Sequence, residues 1–185
     1  TPIVVLDFET TGLNTQKDRI IEIGAVRLEN GAVTADYSSF VNPGRVLPDK
    51  IVELTGITDM MLKNAPSAGD TLPKLMAFIG DCPIAAHNAA FDLAVLTSEL
   101  KRLDASYENV GVDTLTLSRK LYPDMKSHRL GAVCKRLSVS LKGAHRAVND
   151  AAATAQCLSR MIEEAKKRGA KTLNDLNEVT KELTL

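Results

Sequence analysis

The sequence predicts an α/β fold: a mixed five-stranded sheet, three antiparallel strands followed by two parallel ones, flanked by helices. Three observations carry this. Strand-like segments follow one another without a helix as far as Pro43. The pattern then changes to helical periodicity, and two later short apolar runs each lead into a helix. Successive strands favour an antiparallel meander, whereas strands separated by helices run parallel through crossovers.

The first strand covers 3 to 8, where Val4, Val5, Leu6 and Phe8 form an apolar run that suits a central position. "RIIEIGAVRLEN" (19–30) is the second and "AVTADYSSFVNP" (32–43) the third, joined across the Asn30-Gly31 turn signal. Short helices are predicted near 48–54 and 58–63, and a longer one over 68–80. "CPIAAHN" (82–88) reads as the fourth strand, and "AAFDLAVLTSELKRL" (89–103) as a helix with Phe91, Val95 and Leu96 on its apolar face. "NVGVDT" (109–114) is the fifth strand, leading into a helix capped by Asp113 or Thr114. A short helix follows over Leu130 to Leu137. The clearest helix runs from 147 to 167, with Leu158, Met161 and Ile162 on one stripe and Lys166, Lys167 and Arg168 before Gly169. The polar tail 171–185 is read as a C-terminal extension or linker, partly helical.

At 185 residues and 44% hydrophobic, the chain suits one domain with a sizeable core. No apolar run is long enough to span a membrane and no signal peptide opens the chain. A cytoplasmic protein with no membrane partner is expected. Cys82, Cys134 and Cys157 are odd in number, scattered and without a C-x-x-C pair, which predicts reduced core thiols rather than zinc or a disulfide framework. Lys plus Arg and Asp plus Glu both number 23. A freestanding nucleic-acid binder usually carries a basic excess, so metal ions or a neighbouring domain would have to supply part of any attraction to phosphate. The chain opens Thr1-Pro2 with the first strand starting at once, as a domain cut from a longer polypeptide or a processed chain would.

The chemistry begins in "VVLDFETTGL" (4–13), where a strand carries two carboxylates, Asp7 and Glu9. Positions i and i+2 of a strand share a face, about 6–7 Å apart, so these charges repel unless something separates or neutralises them. Solvated edge residues, partners of a basic side chain, and ligands of divalent cations are the three readings open at this point. The apolar neighbours argue against the first, and no Lys or Arg lies close in sequence for the second. Downstream, "HNAAFD" (87–92) sets Asp92 at a helix start, where it would equally serve as a first-turn acid. "GAHRAVNDAAATA" (143–155) sets His145 and Asp150 around the start of the long helix. Five residues of helix turn about 500°, which places His145 in the preceding loop, reaching over Asp150 from outside.

Taken together, Asp-x-Glu-Thr-Thr-Gly, Asn-x-x-Phe-Asp and His-x-x-x-x-Asp in this order resemble the three motifs of DEDD-type 3′–5′ exonucleases, histidine subgroup (DnaQ-like). The resemblance covers residues 3 to about 165 and implies an RNase H-like sheet over a domain of residues 1–170. "ELTGIT" (53–58), "AHNAAFD" (86–92), "DTLTLSRKLYP" (113–123), "SHRL" (127–130) and "HRAVNDAAATA" (145–155) are similar to the proofreading domain of Gram-positive PolC-type DNA polymerase III. This implies two divalent cations, Mg²⁺ or Mn²⁺, held by Asp7, Glu9, Asp92 and Asp150, with His145 as general base and nucleoside 5′-monophosphates as products. The implied substrate is a single-stranded or frayed 3′ end of DNA, and the implied partners are polymerase domains of the same chain or a polymerase subunit. Thr10, Thr11 and Gly12 would bind the terminal 3′ hydroxyl through backbone and hydroxyl groups, and Asn88 would orient the backbone or a phosphate oxygen. Leu13 would wedge against the terminal bases and Phe91 would pack on the last nucleotide, although both also suit a core. His87 is read as structural and His128 is left open. An RNA-trimming exonuclease of oligoribonuclease or RNase T type, and an inactive nucleic-acid docking module, are the alternatives.

Overall fold

The computed structural model describes residues 1–108, 111–172 and 175. The strands are β1 (Ile3–Thr10), β2 (Ile20–Glu29), β3 (Ala32–Phe40), β4 (Ile84–Ala86) and β5 (Gly111–Asp113). They form one sheet in the order β3-β2-β1-β4-β5, antiparallel through the first three and parallel from β1 to β4 to β5. The sequence-predicted mixed sheet is the observed one. The β2–β3 hairpin closes on Asn30 and Gly31, both at positive φ (50° and 79°), the backbone twist that a two-residue turn between strands requires.

The helices are α1 (Asp49–Thr55), α2 (Asp59–Leu62), α3 (Ala68–Ile79), α4 (Ala89–Arg102), α5 (Thr114–Leu121), α6 (Leu130–Arg136) and α7 (Ala147–Lys167). Alternate residues of β1 feed two cores. Val4, Leu6 and Phe8 pack with α3 and α4 residues such as Leu75 and Leu96. Ile3 and Val5 pack with α5, α6 and α7 through Leu117, Val133, Leu158 and Met161. A smaller cluster of Ile21, Leu47, Ile57 and Leu62 seats α1 and α2. The sheet is thus covered on both sides, as the continuous apolar run of β1 demands.

Element edges differ from the sequence reading in instructive places. β1 runs on through Thr10 because its pairing with β2 continues, Glu9 opposite Glu22 and Thr10 opposite Ile20. The third strand stops at Phe40, before Asn42, Pro43 and Gly44 turn the chain. The fourth is only Ile84–Ala86, because the backbone leaves the sheet at Asn88 in a left-handed conformation. Asp113 caps α5, accepting from the Leu115 N–H at 3.0 Å. Residues 109–110 of the predicted fifth strand, and most of the 171–185 tail, lie outside the described residues. Cys134 and Cys157, far apart in sequence, are buried with their Sγ atoms 3.6 Å apart between α6 and α7; all three cysteines are free thiols. Among the described residues no helix is long and apolar enough to cross a membrane.

Candidate active site

The C-terminal half of β1 carries Asp7 and Glu9 on the face covered by α7, since Ile3 and Val5 of the same register pack against that helix. Two devices bring α7 close enough to complete the cluster. Gly24, directly across from Asp7 in β2, lacks a side chain where the backbone of Ala147 and Val148 rests on the strand; any Cβ there would overlap both. Beside it, buried Glu22 accepts the Ala147 N–H at 2.9 Å. A carboxylate at a helix N-terminus meets both the unpaired amides and the positive end of the dipole. Arg146 holds the same junction. It lies 3.8 Å from Glu22, stacks 5.6 Å from the Phe40 ring centroid and donates to the Thr55 carbonyl.

His145 stands two residues before α7 at φ 69°, exposed. This left-handed turn lets its N–H donate to Asp150 Oδ2 at 3.2 Å. The histidine therefore reaches over the acid from the preceding loop, as the helical spacing predicts. Ligand atoms of Glu9, His145 and Asp150 lie within 4.8 Å of one another. Asp92, in the first turn of α4, is 5% exposed and accepts the Phe8 N–H at 3.2 Å. That bond ties α4 to β1 between the two strand carboxylates.

The electrostatics of this cluster are adverse in the chain alone. Asp7 is pushed well above the usual carboxylate range by burial, then by the charges of Asp92, Glu9, Asp150 and Glu22. Glu9 rises to about 7, from burial first and then Asp150 and Glu22, with Arg146 opposing. Asp92 is raised by burial against the pull of the Phe8 N–H. Asp150 is raised by burial against its bond from His145. The buried Asp7 Oδ2 has no hydrogen-bond partner. An unpartnered carboxylate oxygen amid like charges, beside the Glu9–His145–Asp150 group, is a donor set that a divalent cation satisfies. The residues fit such an ion.

A sequence model of the family described as Exonuclease (RNase T) matches residues 4–158. The chain belongs to the exonuclease family. Among curated relatives, a PolC-type DNA polymerase III of Clostridium perfringens is 44% identical over 176 residues, and that of Bacillus subtilis 42% over 177. These matches cover 93% and 95% of this exonuclease but only 12% of either relative. A structure of Exonuclease X with 5′-overhanging duplex DNA superposes at TM-score 0.79 and 25% identity, over 96% of this chain and 99% of the other. E. coli Exonuclease I with a dT13 oligonucleotide has the same fold (TM-score 0.78, 19% identity, 91% of this chain, 42% of the other). The exonuclease family implies divalent metal ions, in keeping with the donor set.

Around the cluster of this exonuclease, the loop after β1 is braced from within. The hydroxyls of Thr10 and Thr11 are already engaged. Thr10 donates to the Gly12 carbonyl at 2.6 Å, and Thr11 donates to Asp18 Oδ1 at 2.9 Å while accepting the Arg19 N–H at 3.0 Å. Both residues are buried, and their hydroxyl protons brace the loop. Gly12 serves the same brace, since a Cβ would meet Asp18 Oδ2 at 2.5 Å. Leu13 is 87% exposed, which removes its reading as a core residue. Phe91 is half-buried, one side against the α3–α4 core. Asn88 is exposed at the start of α4, its own N–H donating to Asp113. His87 is structural: Nε2 donates to the His128 carbonyl at 2.7 Å, so the neutral ring accepts from Thr114 at Nδ1, 2.8 Å away.

Sequence reasoning missed Glu22, Gly24, Arg146 and Glu99. Glu99, 1% exposed on α4, pairs with Arg19 at 2.7 Å and Arg102 at 3.0 Å and anchors the base of the Leu13 loop. A glycine inside the apolar "IIEIGAV" run was a readable sign of close backbone approach.

Proposed function

We propose that the chain is a 3′–5′ DNA exonuclease using two divalent cations, Mg²⁺ or Mn²⁺, and that residues 1–170 form the proofreading domain of a cytoplasmic replicative polymerase, with 171–185 a C-terminal extension or linker. The observation that carries this is the Glu9–His145–Asp150 group beside the buried Asp7, whose unpartnered oxygen also feels the charge of buried Asp92. The polymerase setting is supported by the PolC-type relatives, and DNA as substrate by Exonuclease X, solved with DNA.

Asp7, Glu9, Asp92 and Asp150 would hold the cations, with Asp7 central because its charge is felt with all the others. Bound there, the cations supply hydroxide at neutral pH and offset charge on the leaving oxygen. His145 takes the proton of the attacking water on a ring nitrogen, and its exposure lets it pass that proton to solvent. The bond from phosphorus to the 3′ oxygen of the penultimate nucleotide breaks, releasing a nucleoside 5′-monophosphate and a new 3′ hydroxyl. Leu13 bears on the terminal bases and Phe91 on the last nucleotide, while the backbone of Thr10, Thr11 and Gly12 receives the 3′ hydroxyl. Preference for a mismatched end follows from the lower cost of unpairing it. The test is release of mononucleotides from DNA labelled at its 5′ end, with Mg²⁺ or Mn²⁺, matched against RNA. Loss of cleavage in Asp7→Ala is expected; cleavage that persists, or that strongly prefers RNA, overturns the reading.

A further inference from the structure

A cavity of about 450 Å³ opens at the C-terminal ends of β4 and β5, its apolar wall formed by Leu115 and Leu130 and its rim by His87, Asn88, Arg119, Ser127, His128 and Arg129. Asn88 lies one turn before Asp92, a rise of about 6 Å along α4, so the cavity borders the carboxylate cluster. Its walls come from three chain segments fastened to one another by side-chain hydrogen bonds. Asp113 Oδ1 accepts the N–H groups of Asn88, Ala89 and Leu115 at 3.0, 3.2 and 3.0 Å, and Oδ2 accepts the Thr116 hydroxyl at 2.7 Å. His87 bridges Thr114 and the His128 carbonyl, and His128 Nδ1 meets Ser118 Oγ at 3.0 Å. The polar groups left to face a ligand are the guanidinium groups of Arg119 and Arg129, the Asn88 amide, the Ser127 hydroxyl and His128 Nε2, of which only the arginines carry a fixed positive charge. Both arginines are exposed, and among the described residues neither forms an ion pair.

We propose that this cavity is a phosphate subsite for the nucleic-acid strand, in which Arg119 and Arg129 grip a phosphodiester on the 5′ side of the scissile bond. It rests on the exonuclease reading above. A strand whose terminal nucleotide sits at Asp7 and which leaves over the ends of β4 and β5 would cross this rim. Two guanidinium forks held apart on a pinned frame suit phosphate oxygens. A chain with equal numbers of acids and bases needs such a local concentration of cations, because the phosphate backbone dominates nucleic-acid affinity. The subsite also gives the Ser127-His128-Arg129-Leu130 segment a role that the carboxylate chemistry does not.

The test compares the wild type with R119A/R129A. Binding of a fluorescein-labelled oligothymidylate is followed by anisotropy in EDTA, so that it does not depend on activity. Affinity is expected to fall about tenfold, and the dependence of log K on log salt to become shallower by about 1.4, from two lost contacts at about 0.7 each. A single neutral methylphosphonate moved along the strand should weaken the wild type at one linkage and cost the double variant nothing there. Hydrolysis of the 4-nitrophenyl ester of thymidine 5′-monophosphate, which has no upstream phosphate, should be equal in the two proteins. Unchanged strand affinity and salt slope overturn the subsite. Unchanged strand affinity with thermal stabilisation by inorganic phosphate, lost in the variant, marks a free-anion site instead and also overturns it. Parallel loss of ester hydrolysis overturns it as well, since the arginines would then serve the reaction or the fold. Arginine-dependent binding in a wild type that hydrolyses neither compound would leave the subsite standing and sink the exonuclease reading.

Discussion

Gly24→Ala is expected to disable the site without touching any charged residue. Gly24 sits opposite Asp7 in β2, and its missing side chain is the seat of the α7 backbone. A Cβ placed there would overlap Ala147 and Val148, and reaching ordinary contact at 3.4 Å requires α7 to retreat by about 1 Å. The helix carries Asp150 and fixes His145, while Glu9 stays on β1, so the retreat opens the Glu9–His145–Asp150 group that now spans 4.8 Å. A misplacement of about 1 Å in reacting groups costs up to about 100-fold in rate. Overpacking of this kind also destabilises by about 1–3 kcal/mol, or about 2–12 °C in Tm at this chain length. Single-turnover cleavage of a labelled oligonucleotide and scanning calorimetry give both numbers. Wild-type rate in a folded Gly24→Ala protein would refute the claim that α7 is docked by this contact.

Three further outcomes are expected. His145→Gln should lower kcat by about 10²–10⁴ with Tm nearly unchanged, because the side chain is exposed; steady-state kinetics and calorimetry together check it. Glu99→Ala should destabilise by about 3 kcal/mol, the low end for breaking a buried pair, since Arg19 and Arg102 keep 25% and 32% side-chain exposure; urea unfolding measures it. In EDTA, stability should fall as pH rises. Glu9 binds its proton more tightly folded, at about 7, than unfolded, at about 4.5, and Asp7 is shifted in the same direction. Folding is therefore favoured below pH 4.5, and this contribution is lost as pH climbs through about 7. Thermal melts from pH 5 to 8 should show the decline, and Asp7→Asn should reduce it.

The legible part of the molecule was local. Paired carboxylates two apart, the Asn30-Gly31 turn and the Asp113 cap are short-range signals, and the structure places each as its spacing implies. His145 was placed correctly by helical rotation alone. What escaped is long-range. Glu22 reads as one polar residue in an apolar strand until α7, 125 positions later, offers the Ala147 N–H. Glu99 reads as an ordinary helix acid until Arg19, 80 positions earlier, reaches it. The brace made by the Thr10 and Thr11 hydroxyls was not legible because sequence does not reveal that Asp18 and Gly12 fold back onto them. Arg146, adjacent to the recognised His145, serves three segments that meet only in the fold.

The central claim is that the adverse acid cluster exists to hold divalent cations. Its most direct test is anomalous scattering from crystals soaked in Mn²⁺ with a nucleoside 5′-monophosphate. Two Mn²⁺ peaks are expected, with Asp7 ligating both, Glu9 and Asp150 on one, Asp92 beside the other, and His145 within reach of the water on the first. An ordered, nucleotide-bound crystal with no anomalous density beside Asp7 would contradict the account.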